Sequence, residues 1–328
     1  GRQVVSVFIG GGTPSLFSPD AIAELVAAVR ARLPLLPGCE ITLEANPGTF
    51  ERDRFAAFAQ AGVTRLSVGV QSFDDAALQA IGRVHSAAQA RDALDEAARC
   101  FATFNLDLMY ALPGQTLEML RADITQALAF VPPHLSIYHL TIEPNTVFAT
   151  RPPRHLPDDD LAYDMLDAIT EATHRAGLQR YEVSAYARAG HVCVHNRNYW
   201  EFGDYLGIGA GAHSKLSFAH RIVRQVRLRD PQRYMQQAVE GLAIAQEHEV
   251  AHTDLAFEYM LNALRLRHGF ALADFTARTG LTSSAIEPAL QQAEAKGWIS
   301  RDLHRVQPTE RGFDFLSDLQ ALFLPDKP

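Results

Sequence analysis

Over about the first 180 residues, strand-like apolar runs alternate with helix-like periodic segments. A chain patterned this way buries its strands as a parallel sheet with helices packed against it. Val4–Ile9 is a compact apolar run that ends in glycines. A helix follows, with Pro19 at its start and Ile22, Leu25, Val26, Val29 and Leu33 at helical spacing. Further strands are expected at Glu40–Glu44, Arg65–Val70, Phe104–Tyr110 and Leu135–Thr141. Between them, Phe55, Phe58 and Ala59 mark a helix that stops at Gly62. Ser86 and Gln89 have capping-box spacing ahead of Ala90, Ala93, Leu94 and Ala97, and Leu120, Ile124 and Leu128 stripe another helix. A helix from about Asp159 to Ala176 ends at Gly177.

Periodicity alone leaves two architectures open, a (β/α) barrel and an open doubly wound sheet. Both build their sites at the C-terminal ends of the strands. Glycines 10–12, Glu44, Gln71 and Asp107 lie at or near such ends on four successive strands. Strand ends converging on one mouth suit a barrel. The expected fold is therefore α/β, a partial (β/α) barrel over residues 1–215. A connecting segment over 216–251 and a small winged-helix-like α+β domain over 252–328 follow. In that last domain, a helix carrying Phe257, Met260, Leu261 and Leu264 and helices near 271–279 and 284–296 precede two short strands at Trp298–Ile299 and Val306 and a helix near 310–323. Winged helices often bind DNA, but Ala271–Pro328 carries six Lys/Arg against eight Asp/Glu. Without a basic stripe there is no phosphate-binding footprint, and no nucleic-acid partner is expected.

The 328 residues are 47% hydrophobic and 21% charged, enough for more than one core and too little charge for wholesale disorder. The net charge of -8 gives no general attraction to nucleic acid or anionic membrane. No signal peptide and no apolar run near the roughly 20 residues of a membrane span is visible, so a cytoplasmic protein without membrane association is expected. Cys39, Cys100 and Cys193 are too scattered for a disulfide framework or a local metal clip, and each reads as a small buried hydrophobe.

Several residues carry chemistry. Gly10-Gly11-Gly12-Thr13-Pro14 directly follows a strand, either as a tight turn or as backbone bared to a ligand. Glu44, at a strand end, suits a cationic group or a surface role. Gln71 suits a ribose or carboxylate, and Arg83 suits a carboxylate through its fork or simple solvation. Asp107 interrupts the apolar run Leu106–Met109, so it needs partners or a wet cavity. Together these groups suit a ligand bearing an amine, a carboxylate and a ribose diol. Gly207–Ala212 matches G-x-G-x-x-A, but no strand precedes it and no helix follows, so the dinucleotide reading fails. No P-loop and no H-E-x-x-H motif occurs. His191, His195 and His213 read either as a zinc site or as separate polar residues.

Taken in order, Gly-Gly-Gly-Thr-Pro-Ser, Glu44-Ala45-Asn46-Pro47, Ser67–Phe73, Gly82-Arg83-Val84-His85 and Asp107–Thr116 resemble the oxygen-independent coproporphyrinogen III oxidase group of radical S-adenosylmethionine proteins. The resemblance covers nearly the whole chain. It implies a partial (β/α) barrel in which Gly11, Gly12, Thr13, Glu44 and Arg83 hold the methionine part of S-adenosylmethionine. Gln71 and Asp107 would hold its ribose or neighbouring groups. His195-Asn196-x-x-Tyr199-Trp200 resembles the signature of the heme chaperones in this group, which implies heme as cargo and heme-accepting apoproteins as partners. His195, Tyr199 and Trp200 then mark the heme region, where a neutral imidazole is able to ligate iron. The other reading is that the three pack in the barrel floor. Two alternative functions are decarboxylation of porphyrinogen propionates and a cluster-less binding module.

One departure bears on activity. Members carry a C-x-x-x-C-x-x-C loop after a first strand, and its three thiolates hold a 4Fe-4S cluster. The expectation is that Val4–Ile9 is the family's second strand and that the first strand and its loop are absent. The chain as given would then neither hold the cluster nor cleave S-adenosylmethionine, and one sheet edge would be exposed.

Overall fold

Each expected N-terminal strand has alternate residues that are apolar, and burying that face against helices drives the architecture. The computed structural model describes residues 2–48, 52, 54–144 and 147–325. The chain forms two compact units, Gly1–His195 and Asn196–Pro328.

In the first unit, β1 (Val4–Ile9), β2 (Leu35–Ala45), β3 (Arg65–Gln71), β4 (Phe104–Tyr110) and β5 (His134–His139) alternate with helices. These are α1 (Pro19–Arg32), α2 (Phe55–Gln60), α3 (Asp75–Ala80), α4 (Ala87–Cys100) and α5 (Leu117–Ala129), followed by α6 (Asp159–Arg175). Two short strands, β6 (Gln179–Arg180) and β7 (Ala185–Ala187), complete a sheet of order β1-β2-β3-β4-β5-β7-β6. The pairs from β1 to β5 are parallel and β7 is antiparallel to β5. A doubly wound sheet reverses its strand order midway. Here every crossover steps the same way, and the sheet curls into a half-barrel. β1 stands at one end of the order, with Val5 40% and Phe8 39% exposed.

Successive side chains point to opposite faces of a strand. Ile41, Leu43, Leu66, Val68, Val70, Leu106, Leu108, Leu135 and Ile137 form one core with Ile22 and Val26 of α1, Phe55 and Phe58 of α2, Leu94 of α4 and Ile124 of α5. Truncating a residue such as Leu43 here typically costs 2–5 kcal/mol. The intervening residues are mostly polar: Glu40, Thr42 and Glu44; Arg65, Ser67 and Gln71; Asn105 and Asp107; His134 and Ser136. They line the face of the sheet opposite the helices. The capping box at α4 is formed, with Ser86 Oγ accepting from Gln89 N at 3.2 Å and Gln89 Oε1 accepting from Ser86 N at 2.8 Å.

A helix, α7 (Val194–Trp200), crosses into the second unit. The expected connecting segment is structured. β8 (His213–Ser217), β9 (Ile222–Arg227) and β10 (Ile244–Glu249) form an antiparallel sheet, and α8 (Pro231–Ala238) links the last two. Pairing of β8 with β9 assigns it to the second unit, so the division falls after His195 and not after residue 215. Next come α9 (Leu255–Ala263), β11 (Phe270–Ala271), α10 (Leu272–Thr279), α11 (Glu287–Ala295), β12 (Ile299–Arg301) and β13 (Arg305–Pro308). The expected final helix is broken at Phe315 (φ -101°, ψ 37°) into α12 (Glu310–Asp314) and α13 (Leu316–Ala321). The strand order β11-β13-β12 completes a winged-helix-like arrangement around Tyr259, whose ring meets Phe202, Phe270 and Phe275 edge to face. On α11, Glu287 and Glu294 are both bonded by Arg301 of β12. Among the described residues no helix is long and apolar enough to cross a membrane.

Lys215 on β8 is buried, and its Nζ donates to Phe202 O at 2.9 Å, Asp204 Oδ1 at 3.3 Å and Ser217 Oγ at 3.3 Å. It lies 3.9 Å from the centre of the Phe202 ring. These bonds tie residues 202–204 to β8. Burial pushes the ammonium down to about 8 from its ordinary 10.5. Between those values the unfolded chain binds more protons than the folded one, so the penalty is full below about pH 8 and is relieved as pH rises toward 10.5. Denaturant titrations across this window should therefore show the native chain gaining stability relative to a Lys215→Met variant. Parallel pH profiles would contradict the assignment.

Candidate functional site

The half-barrel's C-terminal mouth begins at the glycine turn after β1. A Cβ on Gly10 would lie 2.3 Å from the Phe8 ring and 3.0 Å from Glu44 Oε2, so any side chain here would have to push the Phe8 ring aside. Gly11 has φ +115°, which side chains rarely adopt, and the Cβ positions of Gly11 and Gly12 look onto open space. Gly11 N donates to Glu44 Oε2 at 3.1 Å, and Asn46 Nδ2 donates to Thr13 Oγ1 at 3.1 Å, which joins the ends of β1 and β2. Burial pushes the Glu44 carboxyl up, while the Gly11 N–H and the His195 charge pull it back.

Asp107 finds the partners its apolar strand demanded. Asn105 Nδ2 donates to Oδ1 at 2.7 Å and Ser67 Oγ donates to Oδ2 at 3.3 Å. Burial still pushes its carboxyl up to about 6; the neighbouring Glu44 charge adds to the rise and these bonds oppose it. Arg83, between α3 and α4, makes no ion pair among the described residues. Desolvation lowers its pKa, and the Asp107 charge acts in the opposite sense. The two groups are thus close enough to interact. Gln71 ends β3 at φ 70°, and Ala111 follows β4 at φ 57°. Such left-handed conformations cost roughly 1–2 kcal/mol outside glycine and persist only where neighbours hold them. Asp123 of α5 accepts from Ser72 Oγ at 2.7 Å and Phe73 N at 2.8 Å, clamping the turn after Gln71. His85 Nε2 donates to Val70 O at 3.0 Å just before it. The mouth thus gathers an open glycine turn, two acids, an amide and an arginine.

Behind the mouth runs a polar network that sequence reasoning missed. Buried His134 donates from Nδ1 to Asn105 Oδ1 at 2.6 Å and accepts at Nε2 from the Tyr181 hydroxyl at 2.9 Å. Burial holds this imidazole well below the ordinary histidine range, so it is neutral. Ser136 Oγ donates to the same Asn105 oxygen at 3.1 Å, and Asn105 Nδ2 also donates to Ser67 Oγ at 2.8 Å. Deeper still, Arg65 bonds Glu40 Oε2 at 3.3 Å and the His191 carbonyl at 3.2 Å. The signal was present as strict alternation in Glu40-Ile41-Thr42-Leu43-Glu44, Arg65-Leu66-Ser67-Val68 and His134-Leu135-Ser136-Ile137.

His195 lies in the first unit, its ring stacked on Phe8 at 4.2 Å and its Nδ1 3.0 Å from Cys193 Sγ. Tyr199 and Trp200 have other neighbours, in the second unit. Tyr199 meets Tyr205 edge to face at 4.7 Å, and the Arg265 guanidinium lies 4.2 Å over the Trp200 ring. The Trp200 Nε1 is buried without a hydrogen-bond partner among the described residues. His191 bonds Thr103 Oγ1, and His213 is exposed on β8, so these histidines have separate surroundings. The cysteines also stand apart. Cys39 Sγ donates to Glu40 O at 3.8 Å and Cys100 Sγ to Glu96 Oε1 at 3.1 Å. Cys193, expected as a mere buried hydrophobe, is bonded to polar groups, because the chain returns just before α7 to lie against Glu40 of β2.

The chain has counterparts among known proteins. The Radical SAM superfamily profile matches residues 1–127, and the HemN C-terminal domain profile matches residues 250–315. The chain is 47% identical to the heme chaperone HemW of Escherichia coli (strain K12), over 99% of this chain and 85% of that protein. It is 45% identical to the heme chaperone HemW of Haemophilus influenzae, over 99% of this chain and 84% of that one. Among solved structures, E. coli coproporphyrinogen III oxidase (HemN), described as a radical SAM enzyme, superposes with a TM-score of 0.81 at 22% identity. That match covers 98% of this chain and 78% of the other, and it speaks to the fold alone.

Proposed function

This chain belongs to the heme chaperone HemW family of the radical SAM superfamily, and from that premise we propose that it binds heme and delivers it to heme-accepting apoproteins in the cytoplasm. The observation that carries the reading is identity of 47% sustained over 99% of the chain. The unpartnered Trp200 Nε1 supports it, because a buried donor left unmade costs about 1–3 kcal/mol and a porphyrin carboxylate would accept from it. His195 is the candidate iron ligand, with Tyr199 and Trp200 as contact residues.

The mouth fits S-adenosylmethionine by the chemistry of its donors. Gly11 and Gly12 border open space beside the Glu44 carboxylate, which would accept the amino group. The Arg83 fork would hold the ligand's carboxylate, with Thr13 at the turn. Gln71 and Asp107 would take the ribose hydroxyls. When bound, this group supplies an activated sulfonium. The chain's own part is to orient it and to keep Asp107 ionised as an acceptor above about pH 6. The residues present do not fit a 4Fe-4S cluster, since the three thiols sit on separate elements with separate partners.

Heme titration of the purified chain is the test. A saturable Soret band that weakens in Trp200→Phe and His195→Gln is the expected result. The absence of any saturable band would overturn the reading.

A further inference from the structure

One side-chain cluster lies at the deep end of the polar network, on the far side of Glu40 from Arg65. Glu40 lies on β2, on the same face as Glu44, and meets the Cys193-Val194-His195 segment at the start of α7. Cys193 Sγ is 3.6 Å from Glu40 Oε1 and 3.0 Å from His195 Nδ1, and His195 Nδ1 is 3.9 Å from Glu40 Oε1. In a tetrahedral centre with metal–sulfur bonds of about 2.3 Å and metal–nitrogen or –oxygen bonds of about 2.0–2.1 Å, the ligand atoms stand roughly 3.3–3.6 Å from one another. The observed triangle brackets those edges, so a cation is admitted by ligand movements of a few tenths of an ångström.

The ligands are also held. Arg65 binds the second Glu40 oxygen, Val194 N and His195 N donate to the first at 3.0 and 3.2 Å, and Phe8 stacks on the imidazole. Outer partners of this kind orient a metal's ligands. The Arg65 charge opposes a cation, but carboxylate and thiolate together supply two negative charges against it. His195 and Glu40 side chains are 15% and 11% exposed, which leaves a narrow opening.

We propose that Glu40, Cys193 and His195 form a binding site for a divalent cation of the zinc class, with three protein ligands and one open position. Sulfur, imidazole and carboxylate donors together select zinc, cobalt(II) or iron(II) over magnesium or calcium. Binding joins the metal to the thiolate sulfur and releases the thiol proton, with no change of oxidation state. The site rests on its own geometry and not on the heme reading, although His195 is common to both.

Cobalt(II) titrated into the chelator-treated chain is the test. A near-ultraviolet thiolate-to-cobalt charge-transfer band, with about one proton released per metal, is expected. Cys193→Ser should abolish the band and leave the circular dichroism spectrum unchanged. His195→Gln should weaken binding at least tenfold. Absence of the band in the native chain, or its persistence in Cys193→Ser through Cys39 or Cys100, would overturn the proposal. Heme titrated into Cys193→Ser is read by its Soret band, so failure of the cation site is distinguishable from failure of the heme reading.

Discussion

Replacing Arg65 with methionine is expected to lower the unfolding free energy by roughly 3–5 kcal/mol, the range for breaking a buried ion pair from one side. The Arg65 side chain is 2% exposed and that of its partner Glu40 11%. Its guanidinium also bonds the His191 carbonyl twice, at 3.2 and 3.3 Å. Methionine fills much of the volume, so the loss is that of an uncompensated charge and an orphaned carbonyl. The Glu40 carboxyl, held below its ordinary range partly by Arg65, would rise in the variant. Adding Glu40→Gln to Arg65→Met should restore a large share of the stability, since the amide oxygen still accepts from Val194 N and His195 N. Urea denaturation of both single variants and the double variant measures this. A single-variant loss below about 1 kcal/mol would show that the pair is solvated and not structural.

Arg83→Ala is expected to weaken S-adenosylmethionine binding roughly 10- to 100-fold while leaving stability nearly unchanged. Hydrogen bonds to a charged group contribute about 1.5–3 kcal/mol, and each 1.4 kcal/mol is a factor of ten. Arg83 is exposed and makes no ion pair among the described residues, so its removal breaks nothing that holds the fold. Its removal also leaves the Asp107 and Glu44 charges facing each other without the arginine. Lysine at this position keeps the charge but lacks the fork and should fall between the two. Equilibrium dialysis of the ligand against each variant measures the effect. A change below twofold would remove Arg83 from the site.

Much of the half-barrel was legible because one face of each strand is apolar, and Phe104–Tyr110 was bounded correctly at both ends. Asp107 stood out for a physical reason, as an acid among Leu106, Leu108 and Met109. Ser67, Asn105 and Ser136 did not, because a small polar residue in a strand signals nothing until the register is known. Asn105 pairs with His134 and Asp107 with Ser136, and no local pattern announces those pairings. Cys193 meets a carboxylate 153 residues away, so its surroundings were invisible in its own neighbourhood. β6 and β7 span 2 and 3 residues, too short for periodicity to register, and most of the sheet of β8 to β10 was hidden in what read as a connecting segment.

The strand order has a consequence for how the first unit assembles. Each strand from β2 to β5 pairs with the one made just before it, so each of these pairings closes only the loop of a single crossover. The contacts that join Arg65 to His191 and Glu40 to Val194 close loops of 126 and 154 residues. Loops of that length cost more entropy to close, so loss of these contacts is expected to accelerate unfolding more than it slows folding. The polar floor of the half-barrel therefore acts as a late latch. It sets the lifetime of the folded unit more than the speed of its birth.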